Sequence, residues 1–304
     1  MHSTLAALLV APLASAATGN LVTDVRALIE RQDFSAAEKQ VAECRARAGR
    51  SVEVAEAVSW LGRGALASGQ LDRAERYAAE ARKLSLDLMR TRPLDAEKHL
   101  PLAFGASIEV HAQVLAARGE RSEAVAFLQG ELAAYGNTSI HERIRKNINL
   151  LSLEGKPAPP LTADRWLDGK TVPLTALRGR PVLLFLWAHW CGDCKAMAPV
   201  VAALRQQYSG LAVVGPTRLY GYVGGGMDAS PTEEVQYIGE VRGRYYGSLA
   251  GMPVPVGTSI FRSYGVSTTP TLVLIDRAGI VRLYHPGAMS QDELAARVEP
   301  LLGR

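Results

Sequence analysis

Two cysteines set three residues apart, Cys191 and Cys194, are the residues of this chain whose type and spacing most directly specify a chemistry. They stand in the stretch Trp187-Ala188-His189-Trp190-Cys191-Gly192-Asp193-Cys194-Lys195. An apolar run of strand length, residues 181–186, leads into it, and helix-compatible residues follow. A dithiol at a strand-to-helix junction is a redox device. The first cysteine falls at a helix N-terminus, where free N–H groups and the helix dipole favour an anion. Its thiol pKa is expected to drop, and the thiolate is the form that attacks disulfides. The second cysteine lies one helical turn on, so the two sulfurs can close a disulfide.

The neighbours of the pair carry expectations of their own. His189, two residues before Cys191, has two readings. A protonated imidazole there would stabilise the thiolate; otherwise it is a surface residue. Trp190 reads as a flat apolar platform beside an exposed sulfur, and Trp187 as core packing. Asp193 puts a carboxylate between the two thiols, which raises thiol pKa by repulsion and opposes the helix dipole. Lys195 would either help the thiolate or be solvated.

Other uses of the cysteines fit less well. Zinc would need a second ligand pair, and the six histidines show no ligand spacing with the dithiol. Haem attachment would need His after Cys194, where Lys195 stands. Peroxidase chemistry needs Thr or Ser at the place of Trp187. Three cysteines in 304 residues are too few for a disulfide scaffold. The net charge of +4 comes without a run of Lys and Arg, so nucleic acid is not an expected partner.

The pattern resembles the thioredoxin superfamily, which carries Trp-Ala-x-Trp-Cys-Gly-x-Cys-Lys and then Ala-Pro, as this chain does through Ala198-Pro199. A second mark lies downstream, where Thr268-Thr269-Pro270-Thr271 precedes Leu272-Val273-Leu274-Ile275. In the family the proline before that strand is cis and packs beside the dithiol. The resemblance assigns that place to Pro270 and sets the backbone of Thr269 where a substrate chain would pair. An Asp168-Gly169 turn signal, residues 174–180 and the long segment between dithiol and proline are similar to the extracytoplasmic TlpA/ResA type. The resemblance covers roughly residues 156–304.

The resemblance implies a thiol-disulfide oxidoreductase acting on protein cysteines, with no cofactor beyond the two sulfurs. Its partners would be protein thiol or disulfide clients and a membrane or periplasmic redox partner. TlpA-type relatives also suggest a dedicated reductant for apocytochrome or copper-site thiols. Three departures stand out. Phe185 occupies the position of the buried Asp of cytosolic thioredoxins, so a proton acceptor for Cys194 must come from Asp193 or from the long insert. Asp193 replaces the Pro common before the second cysteine. Met197 stands where many TlpA-type proteins have the Glu of a Glu-x-Pro.

The elements that must position these residues are also readable. Residues 211–214 form a buried strand. Residues 280–284 alternate after the turn 276–279, which predicts a hairpin. Residues 291–302 are helical, with Ser290 as N-cap. Trp166 to Val172 predicts a further hairpin around Asp168-Gly169. The insert 221–255 holds a helix over 232–246 and a cluster of tyrosines, Tyr220, Tyr222, Tyr237, Tyr245 and Tyr246, which either line a client groove or cover the added helix.

Residues 20–150 are rich in Ala, Leu, Arg and Glu and poor in strand signals. A turn-apolar-x-x-Ala pattern recurs at Gln32 to Ala37, Gly69 to Ala74 and, with Arg121 in the apolar place, Gly119 to Ala124. It looks like tetratricopeptide-type helical hairpins. In that register Cys44 is a buried, inert thiol; the alternative is a mixed-disulfide or resolving thiol. The expected organisation is a cleavable signal over 1–17, an all-α tetratricopeptide-like domain over 18–151, a Pro-rich linker over 152–160 and an α/β thioredoxin-fold domain over 161–304. The signal rests on the apolar run 5–13 followed by Ala14-Ser15-Ala16, and it implies a periplasmic or secreted protein. The competing function is a non-catalytic interaction protein that binds through the helical repeats and keeps the second domain as a scaffold.

Overall fold

The computed structural model describes residues 20–302; the signal expected over 1–17 lies outside the described residues. The first half is helical: α1 Leu21–Glu30, α2 Phe34–Ala48, α3 Val52–Ala67, α4 Leu71–Met89, α5 His99–Ala117, α6 Arg121–Tyr135 and α7 His141–Ser152. Three of the turns are built alike. Gln32, Gly69 and Gly119 each take a positive φ, of 64°, 71° and 87°. The next N–H then reaches back in each case: Asp33 to the Leu28 carbonyl, Gln70 to Ala65 and Glu120 to Leu115, at 2.8–2.9 Å. Ala37, Ala74 and Ala124, each five residues past its turn position, are wholly buried. A small side chain at that position lets paired helices approach closely. Helix α5 is long and apolar enough to cross a membrane, but it is the core helix of this bundle, packed on α3, α4, α6 and α7. Cys44 is half-buried at the edge of that core, less enclosed than expected.

The second half contains β1 Arg165–Trp166, β2 Val182–Leu186, α8 Gly192–Gln207, β3 Ala212–Val214, α9 Pro231–Tyr245, β4 Pro255–Val256, α10 Thr258–Tyr264, β5 Thr271–Ile275, β6 Val281–Pro286 and α11 Gln291–Leu302. Four strands form one mixed sheet in the order β3-β2-β5-β6, with β2 and β3 parallel and the other pairs antiparallel. Every residue of β2 is buried, because both sheet faces are covered. Leu183 and Phe185 pack with α8 and α11 on one side. Val182, Leu184 and Leu186 pack with α10 on the other. This alternation follows from the two-residue period of a strand. Ser290 caps α11, its Oγ accepting from the Glu293 N–H at 3.3 Å.

The hairpin expected over 166–172 does not form. Gly169 N–H closes a turn on the Trp166 carbonyl, but the returning residues do not pair. Residues 165–166 pair instead with β4 of the insert, Arg165 opposite Val256 and Trp166 opposite Pro255. Arg242 of α9 clamps Asp168 through two hydrogen bonds of 2.5 and 2.9 Å. The turn residues are thereby committed to the insert and not to a two-stranded ribbon.

The segment 153–158 does not hang free between the halves. Gly155 N–H donates to Val281 O, Val281 N–H to Lys156 O and Ala158 N–H to Gly279 O. Leu153 is buried under the sheet. The helical half is seated on α10 through α7. Gly265 ends α10 with φ 61°, and a Cβ there would fall on backbone atoms of Arg145 and Lys146. Arg262 donates to the Gly136 carbonyl at 2.8 Å, and Arg218 pairs with Glu142 at 3.3 Å.

Candidate active site

Strand β2 delivers the chain into the loop 187–191, and buried bonds hold that loop. Trp187 N–H donates to Pro216 O, and its indole N–H donates to Gly215 O at 3.0 Å. Thr217 Oγ1 returns a bond to the Trp187 carbonyl at 2.8 Å. Trp187 is a core residue, fully buried. The chain then turns so that Cys191 becomes the N-cap of α8. The Cys191 Sγ accepts from the Cys194 N–H at 3.0 Å. That bond uses one of the free N–H groups of the first helical turn and directs it at the sulfur that must carry charge. The two cysteines are joined as a disulfide, with Cα atoms 5.3 Å apart.

Both sulfurs are more enclosed than the sequence suggested. Cys191 is 3% exposed and Cys194 is fully buried, whereas Trp190 beside them is 49% exposed. The Thr269–Pro270 peptide is cis. Thr271 pairs with Leu186, so Pro270 stands level with the start of the dithiol loop. Thr269 Oγ1 is buried with no hydrogen-bond partner among the described residues.

His189 corrects one of the two readings made of it. It is not a surface residue. Its side chain is buried, and its Nε2 lies 3.1 Å from Glu234 Oε1. Burial pushes its pKa below the usual histidine range, although Glu234 pulls the other way. With Nε2–H directed at the carboxylate, the neutral ring keeps its lone pair on Nδ1. Tyr220, Tyr222 and Tyr237 meet the ring edge-on at 5.4–5.5 Å. Of the tyrosine cluster, these three enclose His189, and burial pushes the Tyr220 hydroxyl up to about 12. Tyr246 packs on Trp187. Tyr245 is half-exposed and lies under the ammonium of Lys195 at 4.7 Å, so Lys195 is engaged with a ring. Asp193 sits in the first turn of α8 and is exposed.

Glu234 is the site residue that sequence reasoning missed. It lies on α9, wholly buried, and also accepts from Tyr220 N–H at 2.6 Å and Gly221 N–H at 2.8 Å. A signal for it existed. Glu234, Ile238 and Val241 fall at positions i, i+4 and i+7 of one helix, and all three are buried. Ser230 and Glu233 form a capping box that fixes where α9 begins and hence this register.

A groove of about 670 Å³ opens beside the dithiol loop. Trp190, Arg218, Tyr220 and Thr269 line one side, and the start of α5 and the turn into α7 line the other. The helical half thus contributes to the surroundings of the redox pair.

Residues 173–301 match a family model described as a thioredoxin-like domain. The chain is 32% identical over 155 residues to the thiol:disulfide interchange protein DsbE of Xylella fastidiosa, covering 50% of this chain and 70% of that protein. It is 27% identical over 144 residues to the thiol-disulfide oxidoreductase ResA of Bacillus anthracis, covering 46% of this chain and 73% of that one. A crystal structure of a DsbE-type interchange protein from Chlorobium tepidum aligns at 28% identity with a TM-score of 0.40, over 49% of this chain and 98% of that one.

Proposed function

This chain belongs to the thioredoxin-like family of DsbE- and ResA-type proteins, and from that premise we propose that it exchanges disulfides with protein cysteines through Cys191 and Cys194. The observation that carries the reading is the Cys191 sulfur at the N-terminus of α8, accepting the Cys194 N–H with its partner cysteine one turn behind. In the reducing direction the Cys191 thiolate attacks one sulfur of a client disulfide. A mixed disulfide forms and one client thiolate leaves, to be protonated. The Cys194 thiolate then attacks Cys191 Sγ and releases the second client thiolate. Two electrons pass from the dithiol to the client, and the Cys191–Cys194 disulfide remains. Run backwards, the same steps oxidise a client.

The reducing direction is the one we favour. A neutral His189 offers no positive charge to the Cys191 thiolate, and Asp193 adds a negative one in the same turn. Both leave the dithiol form less stabilised, which makes it the better electron donor. A midpoint potential of about −270 mV, thioredoxin's own value, is the one this direction predicts. We place the protein outside the cytoplasm, in the periplasm or secreted, where a membrane-fed redox partner would recharge it. The tetratricopeptide-like reading of residues 18–151 is supported by the three matching turns and their buried alanines.

Replacing Cys194 by Ser tests the exchange mechanism. The variant should accumulate mixed disulfides on Cys191 with a disulfide-bonded protein substrate, seen as a reducible mass addition. If Cys194→Ser traps nothing where the intact dithiol turns over, the two-step exchange is wrong.

A further inference from the structure

A second group of charges lies in the helical half, on α1, α3, α5 and α7, which pack side by side in one layer. Glu109 of α5 stands among three cations of the neighbouring helices. Lys146 Nζ donates to its Oε1 at 3.0 Å, whereas Arg63 Nη2 and Arg143 Nε stop 3.8 and 3.9 Å from its Oε2. Those two distances are too long for hydrogen bonds. Glu109 Oε2 accordingly has no hydrogen-bond partner among the described residues. The two guanidinium groups feel the carboxylate without spending their N–H donors on it.

Trp60 of α3 fixes the other end of the group. Arg26 and Arg63 lie over its ring, 4.4 and 4.8 Å from the centroid. Such stacking uses the flat face of a guanidinium and leaves the N–H groups at its edge free. Neither arginine donates a hydrogen bond among the described residues. Arg143 donates once, to the Leu102 carbonyl at 3.1 Å.

The charges do not balance. Arg26, Arg63, Arg143 and Lys146 face two carboxylates, and the second of these is taken. Glu56 Oε2 lies 2.6 Å from His99 Nδ1, and Glu56 Oε1 accepts the Trp60 indole N–H at 3.4 Å. At the start of α5, Glu97 is spent on the His99 and Leu100 N–H groups. The exposed Glu53 and Lys98 offset one another. The side chains of Arg63, Arg143 and Lys146 are only 28%, 20% and 12% exposed. Burial and the neighbouring guanidinium groups push the Lys146 ammonium below the usual lysine range, although Glu109 is bonded to it. Cations are thus held together, half out of water, with too few anions to compensate them.

We propose that Arg63 and Arg143, with Arg26 at the rim, form a binding site for an oxyanion group, a carboxylate or a phosphate, carried by a ligand that lies on this layer of the helical half. Both guanidinium groups stand close to the same Glu109 oxygen, so one small ion can bridge them. A guanidinium fork matches the paired oxygens of either group. Lys146 offsets the Glu109 charge, so the incoming anion meets a positive field. The site is separate from the dithiol, and its failure leaves the exchange reading untouched.

The test is calorimetric titration of the full-length oxidised protein with three probes: inorganic phosphate, a heptapeptide with two adjacent central Glu residues, and the same heptapeptide with Gln in their place. Phosphate, the Glu peptide or both should bind, more tightly than the Gln peptide, and binding should weaken as salt is raised. Which of the two binds tells a phosphate ligand from a carboxylate one. Arg63→Gln should weaken that binding by about tenfold, the loss of one charge-assisted hydrogen bond. Arg63 gives up no hydrogen bond of the folded chain, so the variant is expected to fold, and thermal melts check that it does. Arg76→Gln removes the same charge from an exposed position on α4 and should leave binding unchanged. The proposal is overturned if neither phosphate nor the Glu peptide binds up to about 10 mM, if the Gln peptide matches both, or if Arg63→Gln weakens binding no more than Arg76→Gln does.

Discussion

His189 Nε2 lies 3.1 Å from Glu234 Oε1, and both side chains are 1% exposed. A residue of the dithiol loop is thereby fastened to a helix of the insert. The carboxylate that cytosolic thioredoxins bury on the strand, where this chain has Phe185, is brought close to the loop from α9 instead. Glu234 is itself fixed by the Tyr220 and Gly221 N–H groups.

The neutral state of His189 has a consequence for stability against pH. Its folded pKa is depressed, so below about pH 6.5 the unfolded chain takes up a proton that the folded chain resists. Stability contributed above that pH is lost as pH falls. In urea unfolding between pH 8 and pH 5, the stability advantage of the parent chain over His189→Gln should shrink on acidification. An advantage that grows would mean a protonated ring in the folded state.

Removing the Glu234 carboxylate should be felt at three donors at once. Glu234→Ala leaves the buried His189 Nε2–H and two part-buried backbone N–H groups without their acceptor, at a cost of about 1–3 kcal/mol for each donor that water does not reach. Glu234→Gln keeps an acceptor and should lose less. Urea midpoints for the two variants check the order, and equal losses would mean that the charge, not the acceptor, is what the loop requires.

Asp193 is expected to act on the redox potential. Asp193→Asn should shift the midpoint to a less negative value, because a negative charge beside the thiolate is gone. An exposed charge is worth about 0.5 kcal/mol, so the shift is about 10 mV for this two-electron couple. Equilibration against glutathione buffers measures it, and a shift to more negative potentials would contradict the electrostatic argument.

Gly265 joins the two halves through a contact that has no room for a side chain. Its backbone takes a left-handed conformation, and an added Cβ would lie 2.6 Å from the Arg145 carbonyl carbon. Gly265→Ala should cost about 2–4 kcal/mol, from overpacking and positive-φ strain together, and should speed proteolysis between residues 153 and 160. Unchanged unfolding and digestion would mean that α7 is not seated on α10 in solution.

Glu109 anchors a charge cluster inside the helical half. Its Oε1 accepts from Lys146 Nζ at 3.0 Å, with Arg63 and Arg143 at 3.8 and 3.9 Å. Burial works to raise its pKa, but these three cations hold it below the usual carboxylate range. Its contribution is present above about pH 4.5 and lost as pH falls. Glu109→Ala should cost about 3 kcal/mol at neutral pH, since it strands Lys146, and the penalty should narrow by pH 4 in thermal melts.

The parts of this protein that were legible in its sequence are those whose signal is local. The strand, dithiol and helix that follow one another at 182–207 each carry their own pattern: a continuous apolar run, a cysteine at the cap, and small and apolar residues at helical spacing. The three helical turns were legible for the same reason. His189 was misjudged because its burial depends on Glu234, forty-five residues on. The hairpin at 166–172 failed because β4, almost ninety residues away, took the pairing. The groove wall at Leu102 and Ile140 has no local mark at all, since only the docking of α7 on α10 brings it to the dithiol.

The strip 154–158 that connects the halves lies along the outermost strand of the sheet. Besides the bonds to Gly279 and Val281, the Glu154 carboxylate accepts the Tyr284 N–H at 3.2 Å. An uncovered strand edge is a template on which a second chain can build. The connector is therefore a guard rail as well as a joint, and a fragment cut after residue 158 would carry β6 into solution with its outer hydrogen-bonding groups bare. Such a fragment should recruit copies of itself, so the solubility of the redox half is on loan from the half that precedes it.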